Sequence, residues 1–293
     1  MGTGIALTAA RHLTETRVTL LDISKAQLQR GRKFSELWVH KEVVKGKLEQ
    51  AAADSLLHRL SFEFLDPEIL TTRDAAAAPE AVRHSTVCLE SASENLGVKR
   101  DIFAFLDAVA PPAAVLATNT SSISITKIAA ATRSPHRVIG MHFMNPVPVM
   151  PLVEIISGLD TNDDTKLRTE QLALQMKKTT AHALDRPGFV SNRLLMPYLN
   201  EAVFALQEGI SSAKDIDRIM RLGANMPMGP LELADFIGLD VCLAILRVLH
   251  SELGDSKYRP APLLTQYVDA GYLGRKSGRG FYEYSNRRAN MLK

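Results

Sequence analysis

His142 and Glu154 are the residues of this chain best suited to moving a proton. Histidine is the side chain whose charge changes near neutral pH, and a carboxylate on one ring nitrogen fixes the tautomer and raises the basicity of the other. Such a pair can take the proton of a hydroxyl group while a hydride leaves the same carbon. The surrounding sequence is built to bring the two together. Residues 137–141 read as a strand that delivers His142 into a proline-rich loop bearing Asn145, and the run at 152–156 reads as a second strand that returns Glu154. Taken alone, a histidine at a strand end is more often structural than catalytic, so the pair needs support from the rest of the chain.

A second signal lies at the N-terminal end. Gly2-Thr3-Gly4-Ile5-Ala6-Leu7 opens an apolar helix, residues 18–21 read as a strand, and Asp22 closes that strand 20 residues after Gly2. A dinucleotide-binding fold sets at this spacing the acid that accepts hydrogen bonds from the adenosine ribose and repels a 2′-phosphate. The pattern therefore predicts NAD, not NADP, as cofactor. Gly2 takes the place of the last glycine of a G-x-G-x-x-G turn. The expectation that follows is an N-terminally truncated motif, with the first strand and first two glycines upstream of Met1.

The elements that must position these residues follow from the patterning. Short β-branched runs at 18–21, 86–89, 115–118, 137–141 and 152–156 alternate with amphipathic stretches from Ser24 and at 95–109, 125–131 and 162–178. That alternation predicts an α/β Rossmann-like domain, residues 1–185, built from βαβ units on a parallel sheet. After Pro187-Gly188 the spacing turns helical to about residue 270, which predicts an all-α domain over 186–293. In it Ser212 and Pro230 suit helix starts and Gly209 a helix end. Arg30, Arg32, Lys33, Lys41, Lys45 and Lys47 make a helical arm at about 24–60 basic, either as a solvated face or as a partner for a phosphorylated ligand.

A formal charge of +3 spread over 293 residues excludes a dedicated nucleic-acid-binding surface. Cys88 and Cys242 stand apart from each other and from any histidine cluster, so neither a disulfide framework nor a metal site is expected. No apolar run approaches the roughly 18 residues of a membrane span. The expectation is a soluble intracellular protein, cytoplasmic in a bacterium or mitochondrial in a eukaryote.

The string His142-Phe143-x-Asn145-Pro146-x-Pro148-x-Met150-x-Leu152-Val153-Glu154 resembles the signature of the L-3-hydroxyacyl-CoA dehydrogenase family. Four further blocks resemble the family in its own order: Thr118-Asn119-Thr120-Ser121-Ser122; Pro187-Gly188-Phe189-Val190-Ser191-Asn192-Arg193; Met226-Pro227-Met228-Gly229-Pro230 with Asp235 and Gly238-Leu239-Asp240; and Gly274 to Tyr282. The resemblance implies that His142 is the general base and Glu154 its orienting partner. It further implies that Ser121 and Asn192 hydrogen-bond the substrate near its reacting oxygen and that Asn145 lines the same site. Gly2, Asp22, Glu94, Lys99 and Asn119 are implied to serve NAD, and Lys45 of the basic arm the CoA moiety of an acyl-CoA substrate. No metal is implied. A homodimer through the C-terminal domain is expected, and the single helical domain matches the short-chain, 3-hydroxybutyryl-CoA type. The alternative, given the incomplete glycine loop, is a catalytically silent NAD- or CoA-binding structural dimer.

Overall fold

The computed structural model describes residues 1–284. The chain forms two compact units, Met1–Arg186 and Pro187–Lys293. The first runs α1 (Gly2–His12), β1 (Val18–Asp22), α2 (Lys25–Val44), α3 (Gln50–Arg59), β2 (Leu60–Phe64), α4 (Pro67–Thr72), α5 (Glu80–Arg83) and β3 (Val87–Glu90). It continues through α6 (Leu96–Val109), β4 (Val115–Thr118), α7 (Ile125–Ala129), β5 (Val138–Phe143), β6 (Leu152–Ser157), α8 (Asp163–Gln175) and β7 (Thr179–Leu184). Helix starts follow local chemistry: Ser24, Asn95, Ser124 and Asn162 each accept a hydrogen bond from a first-turn amide and cap α2, α6, α7 and α8.

The strands form a β1-β2 sheet and a β3-β4-β5-β6-β7 sheet. Helix α1 joins them. Its Ile5 and Ala9 pack with Val115, Ala117, Ile139 and Met141, while Ala6, Leu7 and Ala10 pack with Val39, Ala53, Leu56 and Leu60. Helices α2 and α3, the expected arm, lie on this second core, with Val39, Ala53 and Leu56 buried.

The expectation of a parallel sheet needs one correction: β5 and β6 are antiparallel. A parallel return needs a crossover of about a dozen residues or more, and the loop between these strands is too short for one. The consequence is chemical. Antiparallel pairing sets His142 directly opposite Glu154, on one face of the sheet. Two strands escape the sequence pattern. In β2, Leu60-Ser61-Phe62-Glu63-Phe64 follows directly on a helix; β7 is a mostly exposed edge strand of small and polar residues. The helix expected over 125–131 ends at Ala129, and that expected over 162–178 at Gln175.

The second unit holds α9 (Ser191–Gln207), α10 (Ala213–Gly223), α11 (Pro230–Ile237), α12 (Leu239–Leu253) and α13 (Pro262–Asp269) around Met196, Leu199, Val203, Leu231, Leu243, Leu246 and Leu249. Gly209 closes α9 at φ +71°, and Pro230 opens α11. Two buried aspartates fasten it. Asp217 accepts from the amides of Leu231 and Glu232 and from the Tyr282 hydroxyl, while Asp235 accepts from the amides of Phe281 and Tyr282 and from the Tyr284 hydroxyl. The residue blocks at 226–240 and 274–282 thus make a clasp that holds the end of the described chain to α11.

Candidate active site

His142 is the last residue but one of a strand whose six residues are all buried, and its Nδ1 lies 2.7 Å from Glu154 Oε2. His142 is 6% and Glu154 3% exposed, so water does not compete for their bond. With Glu154 ionised, Nδ1 carries the proton and donates it to the carboxylate, which fixes the tautomer in which Nε2 is the basic nitrogen. The next residue is also held from the side: the Phe143 amide donates to Asn119 Oδ1 at 2.8 Å, across from the end of β4. Asn119 therefore fixes where β5 ends, and its Nδ2 reaches Ser91 Oγ at 3.5 Å.

Glu94 organises the turn after β4. Its Oε1 accepts from Thr120 Oγ1 at 2.6 Å, the Ser121 amide at 2.8 Å, the Ser122 amide at 2.9 Å and Ser122 Oγ at 3.1 Å. Burial pushes the Glu94 carboxyl up, but these donors and the Lys99 ammonium outweigh it and hold the group below the usual carboxylate range. On the far side of the turn, Asp185 accepts from Ser124 Oγ and from the amides of Ile125 and Thr126, which caps α7. Ser121 is thus held between two carboxylate anchors.

Lys99 differs from what its place near a helix start suggests. It is fully buried, with Nζ at 2.8 and 2.9 Å from the two Glu90 oxygens and 3.6 Å from Glu94 Oε2. Glu90 also accepts from Thr118 Oγ1 at 2.6 Å. Lys99 therefore acts behind Glu94 and not at a surface that a cofactor would touch. Glu90 escaped sequence reasoning, although an acid closing an apolar strand is costly to bury unless it is paired and so marks itself as a residue with a partner.

At the other end of the unit, Gly2 begins α1, whose start has no side-chain cap and no acid in its first turn. A helix start of this kind presents its first-turn amides to an anion. Asp22 ends β1, with Oδ1 accepting from the Ser24 amide at 2.8 Å; no bond is recorded to Oδ2 among the described residues, so that oxygen can receive a ribose hydroxyl. A cavity of about 320 Å³ opens here, lined by Met1, Thr3, Gly4, Arg30, Asn145 and Val147 among others. Asn145 and the start of α1 thus share one cavity. The donor set fits a dinucleotide: amides for the pyrophosphate and an acid for the ribose.

Asn192 is the second residue of α9, buried in the second unit. Lys45 caps α2 and is exposed, as are Arg30, Lys33 and Lys41; the Arg32 guanidinium lies 5.3 Å over the Phe62 ring. Among the described residues no three His, Cys, Asp or Glu side chains cluster as metal ligands, and no helix is long and apolar enough to cross a membrane.

Comparison with known proteins bears on the same regions. Residues 1–186 match the family model of the 3-hydroxyacyl-CoA dehydrogenase NAD binding domain, and residues 188–284 that of its C-terminal domain. The chain is 47% identical over 287 residues to a probable 3-hydroxybutyryl-CoA dehydrogenase of Bacillus subtilis, covering 98% of this chain and 95% of the relative. It is 46% identical over 284 residues to the 3-hydroxybutyryl-CoA dehydrogenase of Bradyrhizobium diazoefficiens, with 97% and 92% covered. Among solved structures, (S)-3-hydroxybutyryl-CoA dehydrogenase from Ralstonia eutropha superposes with a TM-score of 0.88 at 43% identity, covering 98% of this chain and 96% of that one. Matched in both units and along nearly its whole length, the chain belongs to the 3-hydroxyacyl-CoA dehydrogenase family.

Proposed function

We propose that His142, oriented by Glu154, is the general base with which this NAD-dependent dehydrogenase oxidises L-3-hydroxyacyl-CoA to 3-oxoacyl-CoA. The observation that carries this reading is the buried 2.7 Å His142–Glu154 pair set by the β5–β6 register. His142 Nε2 takes the C3 hydroxyl proton as the carbonyl forms and the hydride leaves C3. NAD, when bound, accepts that hydride. Glu154 stabilises the imidazolium so produced, and in reverse His142 returns the proton to the alkoxide. Ser121 and Asn192 are assigned to hydrogen-bond the reacting oxygen, and Asn145 to line the substrate's side of the cavity. The relatives named for 3-hydroxybutyryl-CoA support a four-carbon acyl group as substrate. The intact base pair disfavours a silent structural role.

Asp22→Ala should weaken NAD binding and narrow the preference for NAD over NADP, because it removes both a ribose acceptor and the charge that repels a 2′-phosphate. Comparing kcat/KM for the two cofactors tests this; an unmutated protein that uses both equally would refute the assignment. Lys45→Ala should raise KM for acetoacetyl-CoA by up to about fivefold, the scale of one exposed charge contact of about 1 kcal/mol. KM for an acetoacetyl thioester lacking the nucleotide should stay unchanged. Equal effects on the two substrates would remove Lys45 from the CoA site.

The second unit also supports self-association, since Leu194, Ile219 and Leu222 are 69%, 60% and 77% exposed. A homodimer through this unit is expected in sedimentation at micromolar concentration. A species that sediments as a monomer there would contradict it.

A further inference from the structure

We propose that Lys178 is a positioning residue that holds the loop after the base His142 against the cofactor end of α1; this rests on the proposed function. Lys178 lies between α8 and β7 and is 7% exposed. Its Nζ donates to Val147 O at 2.5 Å and to Met150 O at 2.9 Å, both carbonyls of the loop between β5 and β6. No carboxylate is recorded beside it among the described residues. A buried ammonium is costly unless it is well bonded, so a lysine sited here and satisfied by two carbonyls of one loop ties the placement of that loop to its own.

The loop has few other means of holding its shape. Pro146, Pro148 and Pro151 carry no amide hydrogen. The Val149 and Met150 amides both go to Pro146 O, and the Thr179 amide takes Pro151 O. Lys178 supplies donors to the two carbonyls it reaches. In front, the loop lies against α1: Val147 is buried with Ile5 and Ala9, and a Cβ added at Gly4 would come within 3.2 Å of the Val147 side chain. Held from behind by Lys178, the loop places Asn145 and Val147 in the wall of the cavity at the start of α1. His142 and Glu154 are fixed by the strand ladder and by their own bond. Lys178 should therefore govern binding and leave the proton-transfer pair in place.

The test compares Lys178→Met and Lys178→Gln with the unmutated protein and with Lys177→Met, the exposed neighbour. In cofactor-free protein, amide exchange should accelerate in peptides spanning 144–151 and stay unchanged in the remaining peptides of the first unit. Kd for NADH, read by its fluorescence, and KM for NADH should each rise about tenfold, the scale of a small misplacement of a binding group. The value of kcat and its pH profile should change by less than about threefold. Lys178→Arg should restore much of the loss, and Lys177→Met should change nothing. Unchanged loop exchange, or exchange accelerated throughout the unit with kcat and kcat/KM falling together, would overturn the proposal. Unmutated protein that neither binds NADH nor turns over would sink the functional reading, while loop exchange would still decide what Lys178 holds.

Discussion

His142→Gln should lower kcat by about two to four orders of magnitude, the contribution of a positioned general base, while Kd for acetoacetyl-CoA and NADH changes little. Glutamine is close in size, and its amide can still donate to Glu154, so the strand end should keep its shape. It cannot take up and hold a proton at neutral pH. The loss should therefore appear in turnover and not in binding. The environment sharpens the expectation: both partners are almost fully buried, so bulk water is poorly placed to take over as base. Steady-state kinetics alongside direct binding decides the matter. Turnover within about threefold of the unmutated enzyme would show that another group moves the proton.

Lys99→Met should destabilise the first unit by about 3–5 kcal/mol, the cost of leaving a buried charge without its partner. Glu90 is 5% exposed and would keep only its neutral donors, Thr118 Oγ1 and the Ala92 amide. Glu94, whose side chain is 39% exposed, adds little to this figure because water screens it. The melting temperature should fall by on the order of 10 °C. The pH dependence has a definite sign. Glu94 is depressed in the folded protein, so the stability it contributes is present above the unfolded carboxylate pKa and is lost as pH falls through the folded value. Only the smaller, Glu94-dependent part of the deficit should follow this profile, full above the ordinary carboxylate pKa of about 4.3 and shrinking as pH falls below it. Adding Glu90→Gln to Lys99→Met should recover part of the loss, because no charge is then left unpaired at Glu90. A melting temperature unchanged by Lys99→Met would show that the pair does not hold this part of the fold.

How much of this was legible in the sequence depends on where each residue's partner lies. His142 and Glu154 sit on successive strands joined by a short loop, so type and spacing were enough to pair them, although the parallel sheet that was expected would not have set them face to face. Asp22 was legible because its chemistry is a matter of distance from Gly2 along one βα unit. Lys99 was legible as a neighbour of Glu94 but not as a buried one, because a lysine near a helix start usually reaches solvent and its partner Glu90 lies on another element. Lys178 was invisible for a different reason. Its partners are backbone carbonyls, which every residue has, so no residue type announces the contact. The β7 strand was lost because an exposed edge of Thr179, Thr180, Ala181, His182 and Ala183 has neither the alternation nor the branched apolar residues by which strands are recognised. The blocks at 226–240 and 274–282 were legible as motifs but not as structure, since the Asp217 and Asp235 bonds that explain them join segments far apart in sequence.

The most direct measurement follows NADH absorbance as purified protein is given acetoacetyl-CoA. The expected result is consumption of NADH with equimolar formation of L-3-hydroxybutyryl-CoA, much slower with NADPH and nearly abolished by His142→Gln. Protein that binds NADH yet reduces neither acetoacetyl-CoA nor a longer 3-oxoacyl-CoA, or whose His142→Gln variant reduces them just as fast, would contradict it.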